Sequence, residues 1–123
     1  MTTHFANSVH DFQVAYDIQG EGPALLLVHG FSNDRTMWRT HGWIDQLQAT
    51  FTLITLDLRG CGESSAPPDP AAYSQTAHLA DIETVLDECG VEQALYWGWS
   101  FGATIGTHVA AHTNRVRRAV IAG

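Results

Sequence analysis

Two nearly unbroken apolar runs, residues 24–28 (ALLLV) and 51–56 (FTLITL), constrain this chain more than any other feature. A strand with one wet face alternates apolar and polar residues. A run that does not alternate must be covered on both faces, as happens in a parallel sheet flanked by helices. Residues 94–97 (ALYW) and 118–122 (RAVIA) read as further strands of the same kind, and residues 9–18 (VHDFQVAYDI) alternate like a half-buried strand. Helical patterns fill the gaps. In residues 76–89, Leu79, Ile82, Leu86 and Cys89 recur at helical spacing, and Gly90 suits the position just past the end. Residues 101–113 carry the small residues Gly102, Ala103, Gly106 and Ala110, which let a helix lie close on a sheet. A third helix is predicted over 35–49 from Trp38, Ile44 and Leu47, although Gly42 weakens it. The alternation implies an α/β fold: a mostly parallel sheet flanked by helices.

Charge removes several function classes. Six Arg, no Lys and thirteen acidic residues give a net charge of −7. Such a chain has little with which to neutralise phosphates, so neither nucleic acid nor an anionic membrane surface is an expected partner. No apolar run approaches the roughly 20 residues of a spanning helix. The first residues, MTTHFAN, lack a basic head and an apolar stretch, so no signal peptide is read there and a cytoplasmic location is expected. Cys61 and Cys89 have no metal spacing and read as reduced thiols. No cofactor is expected. No metal site is expected either, since His108 and His112 at i, i+4 lack a third ligand.

The motif that carries chemistry is Gly98-Trp99-Ser100-Phe101-Gly102. It follows a strand-like run and opens a helical one, which is the context a Gly-x-Ser-x-Gly nucleophile elbow requires. A sharp strand-to-helix turn strains the serine backbone, flanking glycines give it room, and the helix N-terminus favours developing negative charge. Two more motifs sit at the carboxyl ends of strands: His29-Gly30-Phe31 after ALLLV, and Asp57-Leu58-Arg59-Gly60-Cys61-Gly62-Glu63-Ser64 after FTLITL.

Three such strand ends, in this order, resemble the α/β-hydrolase family from about residue 11 to residue 123. The resemblance implies that Ser100 is the nucleophile and that the backbone N–H groups of Phe101 and Phe31 form the oxyanion hole. Gly98, Gly102, His29 and Gly30 would support the elbow and the oxyanion loop, and Asp57 and Arg59 would shape the loop after their strand. Serine at position 100 looks like the esterase and lipase branches, unlike relatives with an aspartate nucleophile. The expected activity is hydrolysis of short or activated carboxylic esters through a Ser100 acyl-enzyme.

In the family the acid and the histidine follow later strands. The resemblance therefore implies one truncated domain, residues 1–123, of about six strands, without the last strands, the usual acid and histidine, or a lid. His108 and His112 lie about 12 Å or more along the helix axis from Ser100. His78 reads as a solvent-exposed residue at a helix start, and His4, His10 and His41 have no motif context. His29 is the nearest same-chain imidazole, with a structural role implied. The strand at 118–122 would be an open apolar edge, so a homodimer through that edge is expected. The alternative is a catalytically silent half-domain that self-associates or binds a complementary half along the same edge.

Overall fold

The structure is a computed structural model that describes residues 2–123, apart from the side chain of His10. In chain order the strands are β1 (His4–Asn7), β2 (Gln13–Gly20), β3 (Ala24–Val28), β4 (Thr52–Leu56), β5 (Ala94–Trp99) and β6 (Val116–Ala122). The helices are α1 (Met37–Thr40), α2 (Trp43–Leu47), α3 (Gln75–Glu88) and α4 (Phe101–His112). The six strands form one sheet in the order β1-β2-β4-β3-β5-β6. The pairings β4–β3, β3–β5 and β5–β6 are parallel, and β1–β2 and β2–β4 are antiparallel.

The register explains the apolar runs. Leu26 lies between Ile54 of β4 and Tyr96 of β5. Side chains of one parity, Leu26, Val28, Ile54, Leu56 and Tyr96, pack with Ile82, Val85 and Leu86 of α3 and Ile105 and Val109 of α4. The other parity, Leu25, Leu27 and Leu53, packs with Trp38 of α1 and Ile44 of α2. Trp97 of β5 completes that second core, with its ring centroid 4.9 Å from Trp38 and 4.7 Å from Trp43. Both faces of β3 and β4 are covered, so side chains of either parity are buried, Thr55 among them.

α3 starts where its cap sits: the Ser74 hydroxyl accepts from the Ala77 N–H at 3.2 Å. It is followed by Gly90 at φ +69°. Two predicted elements differ from the structure, and a third element was not predicted. The helix over 35–49 is two short helices, because Gly42 sits at φ +81° and breaks the hydrogen-bond ladder. The strand over 9–18 begins only at Gln13 and is preceded by a single 3₁₀ turn, Val9–Asp11. β1 carries no sequence signal of its own, since four mixed residues become a strand only by pairing with β2. Cys61 and Cys89 are free thiols.

β6 pairs only with β5 among the described residues. Val120 and Ile121 on it are 58% and 50% exposed.

α4 approaches the sheet at backbone distance. A Cβ on Gly102 would overlap the Val28 carbonyl oxygen and lie 2.6 Å from that of His29. Gly42 has no atom within 4 Å of the same point, so only its positive φ opposes a side chain. Gly102→Ala is expected to cost about 3 kcal/mol or more, and Gly42→Ala about 1 kcal/mol. Urea unfolding midpoints of the two variants check the ordering.

Candidate active site

The site is built on three strand ends at the carboxyl edge of the parallel strands. β5 ends at Trp99, and the chain turns at once into α4. Ser100, between them, has φ +56° and ψ −113°, a conformation that disfavours L side chains. The turn fits only because its flanks lack side chains. A Cβ on Gly98 would clash with the Gly102 carbonyl, and one on Gly30 would lie 3.1 Å from the Ser100 Cβ. The Ser100 N–H donates to the Ala122 carbonyl at 2.7 Å, so β6 also anchors the turn. Beneath it, the buried Tyr96 hydroxyl donates to the Gly102 carbonyl at 2.6 Å, and burial pushes its pKa well above the usual phenol value. The outcome is an exposed serine hydroxyl at a helix N-terminus.

Two backbone donors lie beside it. The Phe101 N–H opens the first turn of α4 and has no acceptor among the described residues. Phe31 lies in a tight turn closed by the Asn33 N–H donating to the Gly30 carbonyl at 3.3 Å, with Ser32 at φ +63°. Its N–H also lacks an acceptor among the described residues. The Phe31 and Phe101 rings meet edge to face at 5.1 Å, which fixes the two segments side by side. Phe31 is 73% exposed and Trp99 44% exposed, so aromatic surface flanks the serine. A carbonyl oxygen placed against the two N–H groups would be stabilised most when it carries a full negative charge.

His29 is fully buried. The Leu58 N–H donates to its Nε2 at 3.0 Å, so the ring proton sits on Nδ1, which donates to the Gly30 carbonyl at 2.7 Å. Burial also holds its pKa below the ordinary value. Both ring nitrogens are engaged: Nε2 ties the loop after β3 to the loop after β4, and Nδ1 braces the adjacent Gly30. No lone pair is left to receive a serine proton.

Asp57 joins the same loops. It accepts from the Arg35 N–H at 2.7 Å, the Glu63 N–H at 2.8 Å and the Arg35 guanidinium. Arg35 also reaches Asp17 at 3.0 Å and Glu63 at 2.9 Å. Arg59 turns the other way. It grips Asp81 of α3 through two bonds of 2.7 and 2.5 Å and donates to the Ala72 carbonyl at 2.9 Å. These partly or fully buried pairs have their remaining donors and acceptors met, which is the condition for tolerating charge in a dry interior.

The structure corrects the placement of His78. It is 2% exposed rather than solvated. Asp81, three residues on, faces inward to Arg59, and Ile82, four residues on, lies in the core, so His78 shares their buried side of α3. That spacing was the available signal. Arg35 and Tyr96 also went unsingled in the sequence, because neither lies in a motif and only tertiary contact gives them partners. His78 and Phe101 meet edge to face at 5.6 Å. A cavity of about 280 Å³ opens there, lined by Phe31, Leu58, Cys61, Tyr73, His78 and Phe101 among others. His108 and His112 stack on each other at 4.0 Å further along α4, away from the elbow. Ser100 Oγ makes no hydrogen bond among the described residues. Nor does any group of three or more metal-ligating side chains occur among them.

Comparison with known proteins agrees with this geometry. The family described as alpha/beta hydrolase fold matches residues 23–123. A bifunctional epoxide hydrolase 2 from Sus scrofa is 38% identical over 100 residues, which are 80% of this chain and 18% of that protein. A pimeloyl-[acyl-carrier protein] methyl ester esterase from Vibrio vulnificus is 34% identical over 97 residues, 79% of this chain and 34% of the other. The chain thus spans about a third or less of these relatives. Among solved structures, a hydrolase from Pseudomonas aeruginosa superposes with a TM-score of 0.90 at 28% identity, covering 98% of this chain and 45% of that one. An alpha/beta hydrolase from Sphaerobacter thermophilus gives 0.83 at 27% identity, covering 94% and 43%.

The two buried imidazoles set a pH dependence. Burial lowers the pKa of both His29 and His78 from 6.5. Below that pH the unfolded chain binds protons that the folded chain resists. Their contribution is therefore complete above about pH 6.5 and is lost as the pH falls. Unfolding free energy measured from pH 8 to 5 is expected to decline through the lower half of that range. The decline should be shallower in His78→Leu.

Proposed function

The chain belongs to the alpha/beta hydrolase fold family, and from that premise we propose that it is an esterase-type hydrolase with Ser100 as nucleophile. The observation that carries the reading is Ser100 itself: a strained, exposed hydroxyl at a helix N-terminus, between two backbone N–H groups that lack acceptors. The chemistry of the nucleophile separates an esterase from an epoxide hydrolase. A serine that opened an epoxide would form an ether, which offers water no carbonyl to attack. A serine that attacks an ester forms an acyl-enzyme, whose carbonyl water can cleave.

In the proposed reaction Ser100 Oγ bonds to the ester carbonyl carbon. The carbonyl oxygen takes the negative charge against the N–H groups of Phe31 and Phe101. The alcohol leaves with a proton, and water then releases the acid. No described histidine bonds to Ser100, so the rate of this chain by itself is expected to rest on oxyanion stabilisation and binding, with a base supplied by another chain segment or copy. Short or activated esters, whose alcohols leave easily, are the substrates that tolerate such a site. The unpartnered Ser100 Oγ favours one second reading, a catalytically silent domain that associates through β6.

A short-chain p-nitrophenyl ester and a fluorophosphonate probe decide between the two. Hydrolysis above background and covalent labelling are expected for the native chain. Both should disappear in Ser100→Ala, which leaves only the background rate of the imidazoles. Equal rates and no labelling would support the silent reading.

The proposal extends to assembly. The free edge and apolar side chains of β6 are covered most simply by two-fold pairing with a second copy. Sedimentation at micromolar concentration should show a dimer, and Val120→Lys should shift it towards monomer. A monomeric native chain would refute this arm alone.

A further inference from the structure

We propose that two buried hydrogen-bond relays, one headed by the Tyr96 hydroxyl and the other by the Ser64 hydroxyl, polarise the backbone N–H groups of Phe101 and Phe31, so that Tyr96 and Ser64 are positioning residues for the oxyanion. The proposal rests on the esterase reading above and adds to it the side chains that tune its two donors.

The bonds of each relay run head to tail. The Phe101 N–H shares its peptide unit with the Ser100 carbonyl. That carbonyl accepts from the Ala103 N–H at 2.9 Å, beside a longer bond of 3.2 Å from the Thr104 N–H. The Ala103 N–H in turn shares its peptide unit with the Gly102 carbonyl, and there the Tyr96 hydroxyl donates at 2.6 Å. A helical bond uses at most one of a carbonyl's two lone pairs, so the tyrosine adds a donor that the helix alone does not supply. The second relay is longer. The Ala15 N–H donates to Ser64 Oγ at 2.9 Å, and Ser64 Oγ donates to the Asp57 carbonyl at 2.6 Å. The N–H of that peptide unit, on Leu58, donates to His29 Nε2 at 3.0 Å. His29 Nδ1 then donates to the Gly30 carbonyl at 2.7 Å, beside a longer bond of 3.3 Å from the Asn33 N–H. The N–H of the Gly30 peptide unit is that of Phe31.

The alignment matters for two reasons. Bonds that point the same way polarise one another, each strengthening the next by roughly 10–30%. Apart from Ser100, Phe101 and Phe31 at the ends, the residues of both relays are buried, so water screens this polarisation little. Each relay also ends on an N–H that has no acceptor among the described residues, so the polarisation is delivered to whatever binds between Phe31 and Phe101. Burial keeps the Tyr96 phenol protonated and the His29 imidazole uncharged, so neither relay breaks near neutral pH. A polarised N–H gains most against a full negative charge. The relays therefore favour the tetrahedral oxyanion over the ester carbonyl that precedes it.

Tyr96→Phe and Ser64→Ala each remove the head of one relay. In each variant kcat and kcat/KM for a short-chain p-nitrophenyl ester are expected to fall together by a factor of roughly two to eight, because a whole oxyanion donor is worth about 10² to 10³ and about a tenth to a third of its logarithm is lost. Amide NMR supplies a readout that loss of stability alone would not move. Tyr96→Phe should shift the Phe101 amide proton upfield and leave that of Phe31 in place, and Ser64→Ala should do the reverse. Val109→Ala, which loosens the core under α4 outside both relays, should move neither resonance and leave kcat unchanged. Unmoved amide resonances, an unchanged kcat in an active chain, or a Val109→Ala shift as large as that of Tyr96→Phe would overturn the proposal. If Ser64→Ala does not fold, Tyr96→Phe decides, since it keeps the ring and removes a single oxygen. A native chain that neither hydrolyses the ester nor takes up the fluorophosphonate would sink the esterase reading alone, because the amide resonances still report the relays.

Discussion

The geometry depends on the backbone approach of α4 to β3. Gly102 lies so close to the carbonyls of Val28 and His29 that no side chain fits between them. That contact fixes the angle at which β5 turns into α4, and so fixes Ser100 in its strained conformation. Tyr96 supports the turn from below, and Ala122 of β6 holds the serine N–H. Strain of this kind persists only where its surroundings over-determine it, and here four segments do so.

Around that point, buried polar groups act as fasteners between loops. His29 joins the loop after β3 to the loop after β4 through Nε2, while Nδ1 braces the adjacent Gly30 carbonyl. Asp57 joins the same loops through Arg35 and two backbone N–H groups. Arg59 carries the chain on to α3 through Asp81. Arg35 gathers three carboxylates and Arg59 one, so the loop bearing Phe31 is held at several points at once. In the proposed reaction, N–H groups held in this way would meet an oxyanion without rearranging when it forms. The same fasteners put His78 into the site, one turn before the aspartate that grips Arg59.

Much of this was legible in the residues. The apolar runs gave a sheet covered on both faces, and Gly-x-Ser-x-Gly between a strand and a helix gave the elbow. Gly90 bounded α3 at its end, where its positive φ is needed. The failures have a common cause. β1 exists because β2 offers it an edge, and Arg35 becomes important because Asp57, Asp17 and Glu63 converge on it from distant positions. His78 looked like a surface residue because it stands at the start of a helix outside any motif, while its contacts, Phe101 and the Arg59–Asp81 pair, come from tertiary packing.

The sequence by itself determined the class of fold, the place of the strained serine turn and the two turns that flank it. These follow from local rules: side-chain period, glycine freedom and capping. Only the tertiary structure decided that His29 is spent on backbone bonds, that His78 faces a cavity beside Phe101, and that Tyr96 lies under the turn. Those outcomes depend on which atoms meet across long separations in the chain. A one-dimensional pattern records the period of each segment, but not what stands opposite it.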